Sequence, residues 1–197
     1  MLPIPQIRSH LRERGPMRAR ELIAMGVQPE QMRRLVGQGV LEKRGRGVYV
    51  LPEQVPGERS SLAEVCLRSP RAIVCLVSAL AFHGIGTQLP GCVWIALPKG
   101  AHSPAWPELE VRVVHLEPRY FEADVETHGT ADGSIRVFSV ARTIVDLFRF
   151  RGTTGLDVFL EAAREAVRDR RTTWEQISTA ARFRGVAKSI RPYLEAM

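Results

Sequence analysis

Apolar residues near the start of the chain recur at helical spacing, with Ile4, Ile7 and Leu11 on one face, and Gly15-Pro16 ends that segment. A second short helix is predicted in ARELIAMG, where Ala19, Leu22 and Ile23 share a face and Gly26 supplies the stop. Pro29 suits the first turn of a third helix, PEQMRRLVGQG, with Glu30 favourable near its N-terminus. Met32, Leu35 and Val36 face inward there, and Gly39 ends it. The pattern then changes. Residues 40–44 and 47–51 read as two strands about Gly45-Arg46, because glycine tolerates positive φ and Val48, Tyr49 and Val50 suit a pleated, half-buried surface. Three short helices followed by a hairpin is the order of a winged helix-turn-helix.

The polar, proline-containing stretch PEQVPGERSS reads as a linker. Beyond it, a helix near 61–67 leads to the strand RAIVCL and to a helix SALAFHG, with Ser78 available as its cap. CVWIALP, LEVRVVHLE and, after the turn ADG, SIRVFS have strand character. VARTIVDLFRF is amphipathic through Val140, Ile144, Leu147 and Phe148, and LDVFLEAAREAVRDR, TTWEQISTAARF and KSIRPYLEAM close the chain. The expected class is α+β: a winged helix-turn-helix over 1–52, a linker over 53–61, and a mixed α/β domain over 62–197 with its helices concentrated at the C-terminal end.

Charge sharpens this picture. The 197-residue chain carries a net charge of +7 and a pI near 10.0, which favours an anionic partner, most simply nucleic acid. Residues up to Arg59 hold about +5 of that excess, so the basicity concentrates in the N-terminal module. On a winged-helix reading, Arg33 and Arg34 lie on the solvent side of the third helix, flanked by Gln31 and Gln38. Arginine can make paired hydrogen bonds to guanine, and glutamine to adenine, in a major groove. Lys43, Arg44 and Arg46 on the wing would contact phosphates or enter the adjacent minor groove. The plainer alternative is a set of solvated charges on a small helical module.

Catalytic and metal chemistry find little support. Cys66, Cys75 and Cys92 form no CxxC pair and sit in apolar contexts, which suggests buried, reduced thiols. The five histidines show no zinc spacing. Ser78 and His83 share one short helix without a glycine elbow, so a cap and a partly buried histidine are expected. Arg142 and Asp146, four apart on a helix, read as a structural ion pair or an inter-helix hydrogen bond. Glu122, Asp124 and Glu126 alternate without a matching carboxylate for a metal, and GIG is too short for a phosphate loop. The expectation is a cytoplasmic protein with no catalytic residue, cofactor, metal or membrane span.

ELIAMG, MRRLVGQGVLEKRGRGVYVL, SALAFHGIG, VWIALPKG and ARTIVDLFR follow, in order, a pattern that resembles the AbiEi-family antitoxins of type IV toxin–antitoxin systems, over about residues 17–151. The resemblance implies that the winged helix binds operator DNA and represses its own operon. It also implies that the C-terminal domain counters a nucleotidyltransferase toxin encoded alongside. The recognition helix would be 29–38 and the wing 40–51, with SALAFHG and ARTIVDL as scaffold. The sequence departs from the family where the second helix often opens on threonine or serine; here Met17-Arg18-Ala19 precede it, which suggests a helix start held by packing. One winged helix makes a small interface, so two copies on an inverted repeat are expected. Two other readings remain: a stand-alone regulator whose C-terminal domain binds a small molecule or a protein, and a DNA-targeted nuclease or nucleotidyltransferase using Asp124, Glu126 and Asp146.

Overall fold

The computed structural model describes residues 2–44, 47–53, 59–88, 90–103, 105–106, 109–130 and 133–197. The expected hairpin turn at Gly45-Arg46, residues 54–58 of the linker and the Ala131-Asp132 part of the ADG turn lie outside them. The chain forms two compact units, Met1–Arg71 with Thr127–Ile135, and Ala72–Glu126 with Arg136–Met197.

The first unit runs α1 (Ile4–Arg14), β1 (Met17–Arg18), α2 (Ala19–Ala24), α3 (Pro29–Gly37), β2 (Glu42–Arg44), β3 (Val48–Val50) and α4 (Ser60–Arg68). Helical periodicity places Ile7, Leu11, Leu22, Met32 and Leu35 in one apolar cluster with Met17, Val27, Leu41, Tyr49 and Leu51. The small sheet has the order β1-β3-β2, both pairs antiparallel, with Tyr49 opposite Met17 on one side and Lys43 on the other. β1 was not expected. Two residues are too few for a periodic signal, and they become a strand because Tyr49 and Val48 offer them an unpaired edge.

The start of α2 also differs from expectation. Packing is not its only support, because the Glu21 carboxylate, one turn in, accepts a hydrogen bond from the Arg18 backbone N–H at 2.6 Å. This is the reciprocal half of a capping box, present without a hydroxyl at the cap position. Ile23, expected inward, is 48% exposed, whereas its neighbour Leu22 is fully buried. The outward face of α2 is therefore Arg20, Ile23 and Ala24.

The second unit contains β4 (Ile73–Val74), α5 (Leu76–His83), β5 (Val93–Pro98), β6 (Val111–Leu116) and α6 (Pro118–Phe121). Next in the chain come the hairpin strands β7 (Val125–Thr130) and β8 (Gly133–Phe138), of which residues 127–135 count with the first unit, and then, in the second unit, α7 (Val140–Arg149), α8 (Arg151–Thr154), α9 (Leu156–Arg168), α10 (Trp174–Phe183) and α11 (Ala187–Glu195). Among the described residues the sheet order is β6-β5-β4-β8-β7. β4 is antiparallel to β5 and parallel to β8, and β5 is parallel to β6 with Val93 opposite Val111. The sheet is thus mixed, and the helices do concentrate in the C-terminal part of the chain.

Ser78 does not cap its helix. α5 begins at Leu76, and the Ser78 hydroxyl accepts from Trp94 N–H at 2.9 Å and donates to the Cys92 carbonyl at 3.3 Å, so it holds the start of β5. His83 is buried and donates from Nε2 to the Phe138 carbonyl at 2.8 Å. Burial pushes the Cys75 thiol well above its ordinary range, with the Asp146 charge adding to the effect, so this side chain behaves as a small apolar residue.

α7 is the organising helix. It packs against α5, α9 and α10, and its Phe148 ring meets Phe159 of α9 at 5.2 Å and Tyr193 of α11 at 5.4 Å between centroids. Arg142 and Asp146 form the expected structural pair at 2.8 Å, and a third residue joins them. Arg184, just past α10, donates from Nε to Asp146 Oδ1 at 2.6 Å. The remaining Arg142 donors reach the Tyr120 and Ala123 carbonyls. Removing one member of a buried ionic cluster strands the others, so Asp146→Ala is expected to destabilise the second unit by about 3–5 kcal/mol. The check is urea unfolding followed by tryptophan fluorescence, since Trp94, Trp106 and Trp174 all lie in this unit. A loss below about 1 kcal/mol, the range of an exposed pair, would remove Asp146 from this role.

Candidate nucleic-acid interface

α3 presents its polar side to solvent. Pro29 fixes the first helical turn, the apolar residues Met32 and Leu35 turn under, and Glu30, Arg33, Arg34 and Gln38 are left outside. Arg33 pairs with Glu30 one turn earlier at 3.2 Å, with both side chains at least 78% exposed. An exposed pair of this kind is weak enough to exchange for a stronger anion.

Gln31 is placed differently. It was expected to flank the arginines, but it is 3% exposed and its amide donates to the Leu2 carbonyl at 2.7 Å. One position along the helix moves a side chain by about 100°, enough to carry Gln31 from the exposed side to the core side. No base contact can be made from there. Lys43 is exposed on β2 and makes no ion pair among the described residues, whereas Arg44 is half-buried and held by Glu42 at 3.1 Å. Arg46 lies outside the described residues.

Other basic residues of this unit serve its internal structure. Arg8 and Arg12 on α1 both bind the Glu53 carboxylate, the latter at 3.3 Å. The Glu53 carboxyl is lowered from its ordinary value by a backbone hydrogen bond first and by these arginines after. Arg18 donates from Nε to the Leu67 carbonyl, and burial lowers its guanidinium from the usual range, with neighbouring Arg20 adding to the effect. Arg20 itself is exposed on the outer face of α2 and makes no ion pair among the described residues. The sequence does not single it out, because the only periodic signal in ARELIAMG is its apolar face and Arg20 lies on the opposite one. On α2, α3 and the wing strands the exposed cations are Arg20, Arg33, Arg34 and Lys43, while Arg12 and Arg14 on α1, Arg59 and Arg71 are exposed elsewhere in this unit.

This arrangement defines the first unit as a winged helix-turn-helix. α2 and α3 form the helical pair, the β2–β3 hairpin is the wing, and β1 completes the sheet. Within it, residues 5–52 match the family described as "Transcriptional regulator, AbiEi antitoxin", the family that the sequence resembles. A solved structure of the RV2827C protein from Mycobacterium tuberculosis is similar in fold, with a TM-score of 0.58 and 14% identity, over 92% of this chain and 72% of that one. No curated protein matches the chain.

Among the described residues, no three or more His, Cys, Asp or Glu side chains are grouped to hold a metal ion, and no helix is long and apolar enough to cross a membrane. Gln31 offers a direct test of the geometry, since its Oε1 is buried with no hydrogen-bond partner among the described residues. Gln31→Leu is expected to change stability by less than about 1 kcal/mol, or to raise it, because an unmet polar group disappears with the lost hydrogen bond. Preference among DNA sequences is expected to stay the same. Thermal unfolding and DNA titration check both, and a loss of sequence preference would put Gln31 back among the base readers.

Proposed function

We propose that the protein is a DNA-binding transcriptional repressor and the antitoxin of a two-gene type IV system. It represses its own operon by occluding the promoter and counters a nucleotidyltransferase toxin. The observation that carries this reading is a coincidence of position. The residues that match the antitoxin regulator family are those that build a winged helix with exposed cations on both DNA-facing elements. Arg33 and Arg34 on α3 and Gln38 just past its end read base edges in the major groove. Lys43, Arg44 and Arg46 hold phosphates from the wing, and Arg20 adds a phosphate contact from α2, the helix that crosses the backbone in this architecture.

The DNA-reading module is taken as 1–52 and the antitoxin module as 62–197. Two copies on an inverted repeat supply the interface area that one winged helix lacks. The protein acts in the cytoplasm, where operon and toxin are, and catalyses no reaction in this role. The nuclease alternative loses support because Asp146, one of its three carboxylates, is buried and held by two arginines. A metal would have to displace both guanidiniums to reach it.

Fluorescence anisotropy with a duplex from the gene's own upstream region and an unrelated control, over a salt series, tests the repressor half. Lys43→Ala is expected to weaken both duplexes alike and to flatten the salt slope by about 1. Arg34→Ala is expected to narrow the preference for the upstream duplex by about 1–3 kcal/mol. Equal, salt-erased binding of the two duplexes by the unaltered protein would defeat the proposal. Growth rescue on co-expression with the adjacent gene tests the antitoxin half separately.

A further inference from the structure

A cavity of about 540 Å³ opens in the second unit, lined in part by Leu116, Tyr120, Arg149, Phe150 and Arg184. Its chemistry is set by a buried charge imbalance. Arg142 and Arg184 are both fully or nearly fully buried, and Asp146 is the single buried carboxylate between them. Asp124 reaches Arg142 only at 4.0 Å and is itself 46% exposed. Among the described residues Arg142 has three acceptors, the Asp146 carboxylate and the Ala123 and Tyr120 carbonyls, but Arg184 has one: its Nε is bound to Asp146, and its Nη2 is buried with no hydrogen-bond partner among them. A buried guanidinium donor left unmet is unfavourable, and an oxyanion is the group that meets it best.

The rest of the wall agrees with that chemistry. Arg149 is exposed and makes no hydrogen bond or ion pair among the described residues, so its charge is available. The carboxylate that also lines the cavity, Glu117, is held by Lys99 at 2.7 Å, and His115 donates from Nε2 to the Ala101 carbonyl at 3.1 Å. Arg119 and Arg184 already lie over the Tyr120 ring, at 4.5 and 4.6 Å from its centroid, which leaves Leu116 and Phe150 as the apolar surface for a bound molecule.

We propose that this cavity binds a small organic oxyanion, its carboxylate or phosphate group held by Arg184 Nη2 and Arg149 and its apolar body resting on Leu116 and Phe150. The site lies wholly within the second unit and does not depend on the DNA-binding reading. It gives the C-terminal module a small-molecule ligand of its own.

The test uses the full-length protein, labelled with ¹⁵N and titrated with sodium benzoate or inorganic phosphate against sodium chloride at matched ionic strength. Saturable amide shifts around residues 115–120, 148–150 and 183–185 are expected. Arg149→Gln, an exposed change that leaves the fold intact, is expected to raise the dissociation constant roughly tenfold by removing one charge-assisted contact. Lys43→Ala is expected to leave it unchanged, although the same variant weakens DNA binding, so the two functions fail separately. Saturation by benzoate alone identifies a carboxylate ligand, and by phosphate alone a phosphate ester. The proposal is overturned by shifts confined to residues 2–53, by no saturable shift with either anion, or by equal affinity in Arg149→Gln.

Discussion

The second unit depends on how one carboxylate, Asp146, satisfies two buried guanidiniums. Asp146 stands on α7, the helix that touches most of its neighbours, and it accepts from Arg142 of the same helix and from Arg184 beyond α10. Through Arg142 the cluster reaches the carbonyls that end α6 and precede β7. A single acidic group therefore fixes the position of α10 and of the connection entering the β7–β8 hairpin. Apolar packing among Phe148, Phe159 and Tyr193 supplies bulk attraction on another side of α7. It has no directional demand comparable to two hydrogen-bonded guanidiniums.

Charge in the first unit is divided between two tasks. Arg8, Arg12 and Arg18 hold the winged helix together through Glu53 and the Leu67 carbonyl. Arg20, Arg33, Arg34 and Lys43 remain exposed on α2, α3 and β2. Net charge alone does not describe the basic surface, since a positive count does not separate cations drawn into the fold's own contacts from those left exposed. Position on the helix does separate them, and Gln31 illustrates how sharply: it is buried, while Arg33 two residues later is exposed.

The periodic elements were legible in the sequence because they bury one face. α1, α3, α7, α9 and α10 follow from apolar spacing, and β5, β6 and β8 from runs of β-branched residues. β1 and β4 have two residues each, too few for any period, and they are defined by the partners beside them. β7, with the sequence VETHGT, has half-exposed polar positions that carry no apolar signal. Arg184 carries no signal in the sequence, for another reason. Its partner lies far away in sequence, and nothing in RFRGV marks an arginine as buried. The resemblance to antitoxin regulators located the winged helix well, and the matched family covers that part alone.

β4 has an effect on how the chain reaches its fold. It is the middle strand of its sheet, it is two residues long, and its parallel contact joins Val74 to Val137 of the neighbouring β8, with β5, β6 and β7 all lying between them in the sequence. Closing such a contact has a loop entropy cost that no neighbouring turn offsets, so the sheet's halves must wait for each other. During synthesis, β5 and β6 emerge beside a β4 whose other edge is still open, and they stay so until β8 arrives. The pairings of the small sheet, by contrast, all fall between Met17 and Val50 and close early. The small sheet of the winged helix can thus be assembled on the ribosome while the five-stranded sheet is still a chain with one strand edge exposed.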